Sequence, residues 1–162
     1  MGRVLTEPDL VEAIARDRAA GRTIAFTNGC FDLLHVGHVR YLQGAAREAD
    51  RVIVAVNDDR SVAALKGAGR PVVRAADRAE VVAALAGVDY VVVFADATVE
   101  RLLLLLRPEV HCKGTDYTIE TVPERAVVER YGGRTAIVGD AKDHATRDLV
   151  SQIVASRPST SD

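Results

Sequence analysis

Cysteine is scarce in this 162-residue chain: Cys30 and Cys112 are its whole complement. Two thiols cannot build a disulfide framework, and they fit a reducing cytoplasm. Long apolar runs are missing too. The greasiest stretch, 102–106, is bounded by Arg101 and Arg107, whereas a membrane span needs roughly 20 apolar residues. Residues 1–21 lack the continuous apolar stretch of a signal peptide. Strong charge of either sign is also absent. Lys plus Arg is 21, Asp plus Glu is 23, and the net charge is -2. That balance excludes a general binder of nucleic acid or anionic membrane but leaves room for a local basic pocket. The expectation is a cytoplasmic protein with no membrane or nucleic-acid partner.

Lysine is the rarest basic residue, with only Lys66, Lys113 and Lys142 present. Either the chain is simply biased toward arginine, or each retained lysine sits where a compact ammonium is needed. What the chain does have is 48% hydrophobic and 27% charged residues, a composition that can build a real core. The length implies one domain. We assign it to 1–155, with a first helix over about 7–20 and a polar tail, 156–162, expected to be disordered.

Thr6-Glu-Pro-Asp9 has the form of a capping box, and Leu10, Val11, Ile14 and Ala15 share a helical face behind it. Apolar runs at 23–27, 51–56, 90–94, 109–112 and 135–138 read as buried strands. Helical patterns fill 36–49, 61–65, 77–86, 98–106 (capped by Thr98), 122–131 and 146–155. Continuous apolar strands alternating with helices predict a single doubly wound α/β domain with a mostly parallel sheet. In such sheets ligands bind beyond the carboxyl ends of the strands.

The loop after the first apolar run reads Thr27-Asn-Gly-Cys-Phe-Asp-Leu-Leu-His-Val-Gly-His38. Gly29 permits a sharp turn and a close backbone approach. His35 and His38 fall where a helix begins, with free backbone N–H groups beside them. There they can donate to phosphate oxygens and stabilise developing charge. Capping histidines or a two-histidine metal site are the plainer alternatives; zinc would want a third ligand, and no Cys/His cluster supplies one. Cys30 lies in this loop, exposed to oxidation but not required as a nucleophile. Arg74 and Arg78 read as surface or substrate-loop residues.

Gly29-Cys-Phe-Asp32 with His35-Val-Gly-His38 resembles the GxFDxxHxGH signature of the cytidylyltransferase-like nucleotidyltransferases. The resemblance implies a Rossmann-like fold and a reaction in which a phosphate oxygen attacks the α-phosphorus of a nucleoside triphosphate and pyrophosphate leaves. It implies that His35 and His38 contact the triphosphate, with Mg²⁺ held mainly by substrate phosphates. It makes 27–31 (Thr27, Asn28, Gly29, Cys30, Phe31) the nucleotide loop. Leu65-Lys-Gly67 with Arg70-Pro71, Lys113-Gly-Thr-Asp-Tyr117 and Tyr131-Gly-Gly133 narrow the resemblance to the adenylyltransferase half of bacterial heptose kinase/adenylyltransferases and their stand-alone counterparts. That implies ATP and D-glycero-β-D-manno-heptose 1-phosphate as substrates, ADP-heptose for the lipopolysaccharide core as product, a separate sugar kinase upstream, and a homo-oligomer, dimer or larger.

By the same resemblance Lys66 contacts phosphate and joins the two histidines as catalytic, while Lys113, Gly114 and Asp116 lie by the nucleotide. Asp116 equally suits a turn cap. Relatives carry a Ser/Thr-rich string before the last helix; here Gly139-Asp-Ala-Lys-Asp-His-Ala-Thr146 stands in its place. We expect Gly139, Lys142, His144 and Thr146 to bind the pyrophosphate end, aided by helix N–H groups. Glycerol-3-phosphate cytidylyltransferase, pantetheine-phosphate adenylyltransferase and a non-catalytic nucleotide-binding module are the competing readings.

Overall fold

A computed structural model describes residues 1–140 and 146–156, with the side chains of 146–149 left out. In chain order the elements are β1 (Arg3–Val4), α1 (Glu7–Ala19), β2 (Ile24–Gly29), α2 (Val36–Ala45), β3 (Arg51–Asn57), α3 (Asp59–Lys66), α4 (Ala75–Ala83), β4 (Tyr90–Phe94), α5 (Glu100–Leu106), β5 (Val110–Lys113), a 3₁₀ turn (Ile119–Thr121), α6 (Arg125–Arg130), β6 (Arg134–Ile137) and α7 (Thr146–Ala155). One six-stranded sheet runs in the order β1-β4-β3-β2-β5-β6. Every described pairing is parallel, so the expected mostly parallel sheet is parallel throughout.

Alternation within β3 shows why both faces are covered. Val52, Val54 and Val56 pack with Leu42, Ala45 and Val82 on one face. Ile53 and Ala55 pack with Leu10, Ile14, Leu102, Leu103 and Val128 on the other. Burying a leucine fully contributes about 1.5–3 kcal/mol, and Leu10, Leu42, Leu102 and Leu103 are all at 0% exposure.

Several expected boundaries move, each for a local reason. β1 escapes a periodicity argument because it has two residues, yet it pairs with β4 through Arg3↔Tyr90 and Val4↔Val91. The helix expected over 122–131 starts at Arg125; Val122 is extended, as a residue before proline must be. Thr98 is not the cap of α5, a position that Val99 occupies. α2 stops at Ala45 rather than 49. In α1, Thr6 caps as expected, its Oγ accepting from the Asp9 N–H at 3.3 Å. The buried face, however, is Leu10, Ala13, Ile14 and Asp17, while Val11 and Ala15 are exposed. Asp17 turns inward because it pairs with Arg22 at 2.6 Å and Arg51 at 3.3 Å and accepts the Tyr90 hydroxyl at 2.7 Å.

From β2 the chain steps to β3 and β4 on one side, then returns to place β5 and β6 on the other. The β2/β5 boundary is therefore the topological switch point, where an open parallel sheet leaves a crevice beyond its carboxyl edge.

Candidate functional site

One wall of that crevice is the loop from β2 into α2. A Cβ on Gly29 would lie 3.0 Å from the Phe31 ring, so a side chain there would push the ring away. Phe31 has φ 47°, a left-handed conformation that costs a non-glycine residue about 1–3 kcal/mol. Its ring is 3% exposed and lies under His38, centroids 5.4 Å apart. Phe31 thus supports the histidine from below.

His35 is the N-cap residue of α2 and His38 stands at its third position. The rings are 4.0 Å apart between centroids and tilted by 34°. His38 Nδ1 accepts from the His35 backbone N–H at 3.3 Å. An accepting Nδ1 leaves the proton of the neutral ring on Nε2, which remains a donor. Burial first, then the electrostatic coupling to His35 and the Lys66 charge, pushes the His38 pKa down to about 4, so this ring is neutral at pH 7. The capping and ligand readings of the pair are compatible, because they use different nitrogens.

Lys66 is exposed at the end of α3, and its charge reaches both His38 and Cys30. Burial raises the Cys30 thiol pKa, against the pull of Lys66, Arg78 and Arg70, so it stays a protonated thiol at neutral pH. Asp32 fastens the following loop. Its Oδ1 accepts from the Val72 and Val73 N–H groups at 2.8 and 3.0 Å, and its Oδ2 pairs with Arg70 at 3.0 Å. Arg78, expected at the surface or in a substrate loop, is instead 1% exposed. Its guanidinium donates to the carbonyls of Cys30 and Val73 and to Asp59. A charge is tolerated there because each of its three guanidinium nitrogens meets an acceptor. Arg74 is exposed.

The opposite wall is a buried polar cluster at the carboxyl ends of β2 and β5. Lys113 Nζ donates to Asn28 Oδ1 at 3.2 Å and lies 3.4 Å from both oxygens of Glu124. It also sits 5.2 Å from the centroid of the Tyr117 ring. Burial lowers the Lys113 pKa and Glu124 opposes that shift. His111, at 0% exposure, places Nε2 3.4 Å from the same Asn28 oxygen. Burial and the Lys113 charge press its pKa down to about 3. Its Nδ1 has no hydrogen-bond partner among the described residues, an arrangement that costs about 1–3 kcal/mol.

The floor joins β5 to β6. The Val138 N–H donates to Lys113 O at 2.8 Å, and the Thr115 hydroxyl donates to Asp140 O at 2.6 Å. Gly139 has φ 95°, and a Cβ there would lie 3.3 Å from Tyr41 Cα, so both its conformation and its space favour glycine. The Tyr41 hydroxyl donates to Cys112 O at 2.9 Å.

The structure thus brings together His35, His38, Phe31, Cys30 and Lys66 on one side, and Asn28 and Lys113 on the other. Gly114 and Gly139 lie near Tyr41 between them. Thr27 is buried inside β2, and Asp116 is exposed. Lys142, His144, the Thr146 hydroxyl and residues 157–162 lie outside what is described. Sequence reading missed Glu124, Arg78 and His111 as members of the site. A histidine inside the apolar run Val110-His-Cys112, two places before Lys113, was the available signal for the last. Among the described residues no group of three or more His, Cys, Asp or Glu side chains gathers to hold a metal ion. No described helix is long and apolar enough to cross a membrane.

A parallel sheet with two histidines at the helix after its switch-point strand is a Rossmann-like nucleotidyltransferase fold. A solved lipopolysaccharide core biosynthesis protein from Thermoplasma volcanium shares it, with a TM-score of 0.64 at 19% identity over 75% of this chain and 100% of that one. The Cytidylyltransferase-like family model matches residues 26–160, and the chain belongs to that family. Relatives named bifunctional protein HldE are 49% identical over 150 residues in Pseudomonas paraeruginosa and 42% identical over 152 residues in Syntrophotalea carbinolica. These alignments take in 93% and 94% of this chain but 32% and 31% of the relatives. The chain therefore spans about a third of the length of the curated relatives it matches.

Proposed function

We propose that this chain transfers an adenylyl group from ATP to D-glycero-β-D-manno-heptose 1-phosphate, releasing pyrophosphate and forming ADP-heptose for the lipopolysaccharide core. The observation that carries the reading is the His35/His38 pair on the switch-point helix, with a neutral His38 whose Nε2–H is free of its capping duty. A sugar phosphate oxygen attacks the α-phosphorus, the bond to the bridging oxygen breaks, and the electron pair leaves with pyrophosphate. The attacking group is already an anion, so no general base is needed. His35 and His38 donate to the triphosphate. Lys66, exposed in the last turn of α3, neutralises phosphate charge as the transition state forms. Mg²⁺ enters as part of the MgATP substrate, its charge shared among the phosphates.

ATP and a heptose rest on the motif strings 27–38 and 113–117, together with the high identity to the HldE proteins. Lys142, His144 and Thr146 complete the pyrophosphate end in this proposal; Lys142→Ala and His144→Ala then raise the KM for ATP. A separate sugar kinase supplies the heptose 1-phosphate, and the protein works in the cytoplasm as a homo-oligomer. The test is pyrophosphate release with Mg²⁺, offering ATP or CTP against β-heptose 1-phosphate, glycerol 3-phosphate and phosphopantetheine. Turnover only with ATP and the heptose phosphate is expected. Turnover with another pair keeps the chemistry and removes the substrate assignment. ATP binding with no pyrophosphate from any pair removes the transferase reading.

A further inference from the structure

We infer that His111 and Lys113 are positioning residues that hold the carboxamide oxygen of Asn28 toward β5 and so turn its Nδ2–H donors to a nucleoside triphosphate in the crevice. This rests on the nucleotidyltransferase reading and adds a donor that the histidine wall does not supply. Lysine has donors and no acceptor, so the Asn28 atom 3.2 Å from Lys113 Nζ is the oxygen. His111 Nε2 approaches that same oxygen at 3.4 Å, so it too donates, and the ring is the Nε2–H tautomer. With the oxygen taken by two donors from β5, the nitrogen is the part of the half-buried Asn28 side chain left for a ligand.

Glu124 completes the brace by holding the Lys113 ammonium at 3.4 Å. The ring of His111 packs against Phe26, centroids 5.9 Å apart, and its Nδ1 has no partner among the described residues. The hydrogen bond to Asn28 is what the histidine adds there. Lys113 accordingly acts through Asn28 rather than by touching the triphosphate.

The test is a double-mutant cycle on the full chain, read by MgATP binding in a calorimeter. His111→Phe should keep the fold and weaken ATP binding about five- to tenfold, the loss of one oriented hydrogen bond. In an Asn28→Ala background the same change should do nothing further. His111→Gln places an amide donor near the position of Nε2 and should restore binding to within about twofold. If the phenylalanine variant does not fold, His111→Asn, whose donor falls short of Asn28, takes its place. Equal losses in both backgrounds, no loss in a folded His111→Phe, or failure of glutamine to rescue overturns the inference. Pyrophosphate release is read on the same samples: binding without turnover removes the transferase reading and leaves the coupling measurable. A parent chain that does not bind ATP overturns both.

Discussion

Replacing Gly44 by alanine sets two effects of similar size against each other. Gly44 lies within α2, one turn and a half beyond His38, and alanine is favoured over glycine in a helix by about 1 kcal/mol. A Cβ at this position, however, would stand 2.9 Å from Val138 Cβ and 3.0 Å from the Gly139 backbone nitrogen. Neither neighbour is the end of a flexible side chain, so the clash is relieved only by moving the backbone at 138–140. Overpacking of that kind costs about 1–3 kcal/mol, and rigid neighbours put this case in the upper half. The net loss is about 1–2 kcal/mol, or a melting temperature lower by roughly 2–8 °C for a chain of this size. Because Asp140 accepts the Thr115 hydroxyl and pairs with Arg40, the same shift disturbs the floor of the crevice, and the KM for ATP should rise with it. Thermal and urea melts, with Gln43→Ala as an exposed neighbour expected to stay within about 0.5 kcal/mol, measure the first effect. An ATP titration measures the second. A Gly44→Ala protein that melts at or above the parent refutes the packing argument.

Asp32→Asn keeps an acceptor for Val72 and Val73 but points an amide nitrogen at the Arg70 guanidinium; breaking this pair should cost about 3 kcal/mol or more and expose the 67–74 segment to proteolysis. An unchanged urea midpoint and cleavage pattern would count against it. Lys66→Ala, at an exposed position, should leave stability within about 0.5 kcal/mol while pyrophosphate release falls about tenfold or more; equal rates remove Lys66 from the chemistry. His38 and His111 have folded pKa values of about 4 and about 3, below the ordinary 6.5. The unfolded chain then binds more protons between those values, so stability is whole above about pH 6.5. It falls as the pH drops through 6.5 toward each folded value, by up to about 1.4 kcal/mol per pH unit for each ring. Urea melts at pH 7.5 and 5 should show this slope, reduced in His111→Phe; midpoints independent of pH would contradict it.

The legible parts of this protein were those that a local pattern specifies. The run Arg51-Val-Ile-Val-Ala-Val56 is apolar on both alternating faces, a signal that only a sheet covered on both sides produces, and β3 occupies Arg51–Asn57. The signature from Gly29 to His38 places the histidine pair at a helix start, because a tight loop into a helix is a local event. Where a proline or a short pairing intervenes, local reading slips: Pro123 delays α6, and β1 exists only because β4 lies beside it. Charged residues on inward faces were illegible for a related reason. Asp17, Arg78 and Glu124 are polar by type, and their burial depends on partners in other elements, Tyr90, Asp59 and Lys113.

The amino-acid sequence by itself determined the alternating parallel architecture, the nucleotide-type loop and the two histidines, since periodicity and motif spacing act over a few residues. The tertiary structure decided which side chains face each other across the switch point. It brought His111 and Lys113 to one oxygen of Asn28 and Glu124 to the Lys113 ammonium, tied Asp32 to a loop 40 residues on, and turned Arg78 from a surface charge into a buried clamp. Those contacts join segments between 11 and 85 residues apart. Their hydrogen bonds exist only after the sheet has closed, because strand order, not sequence proximity, sets which carboxyl ends become neighbours.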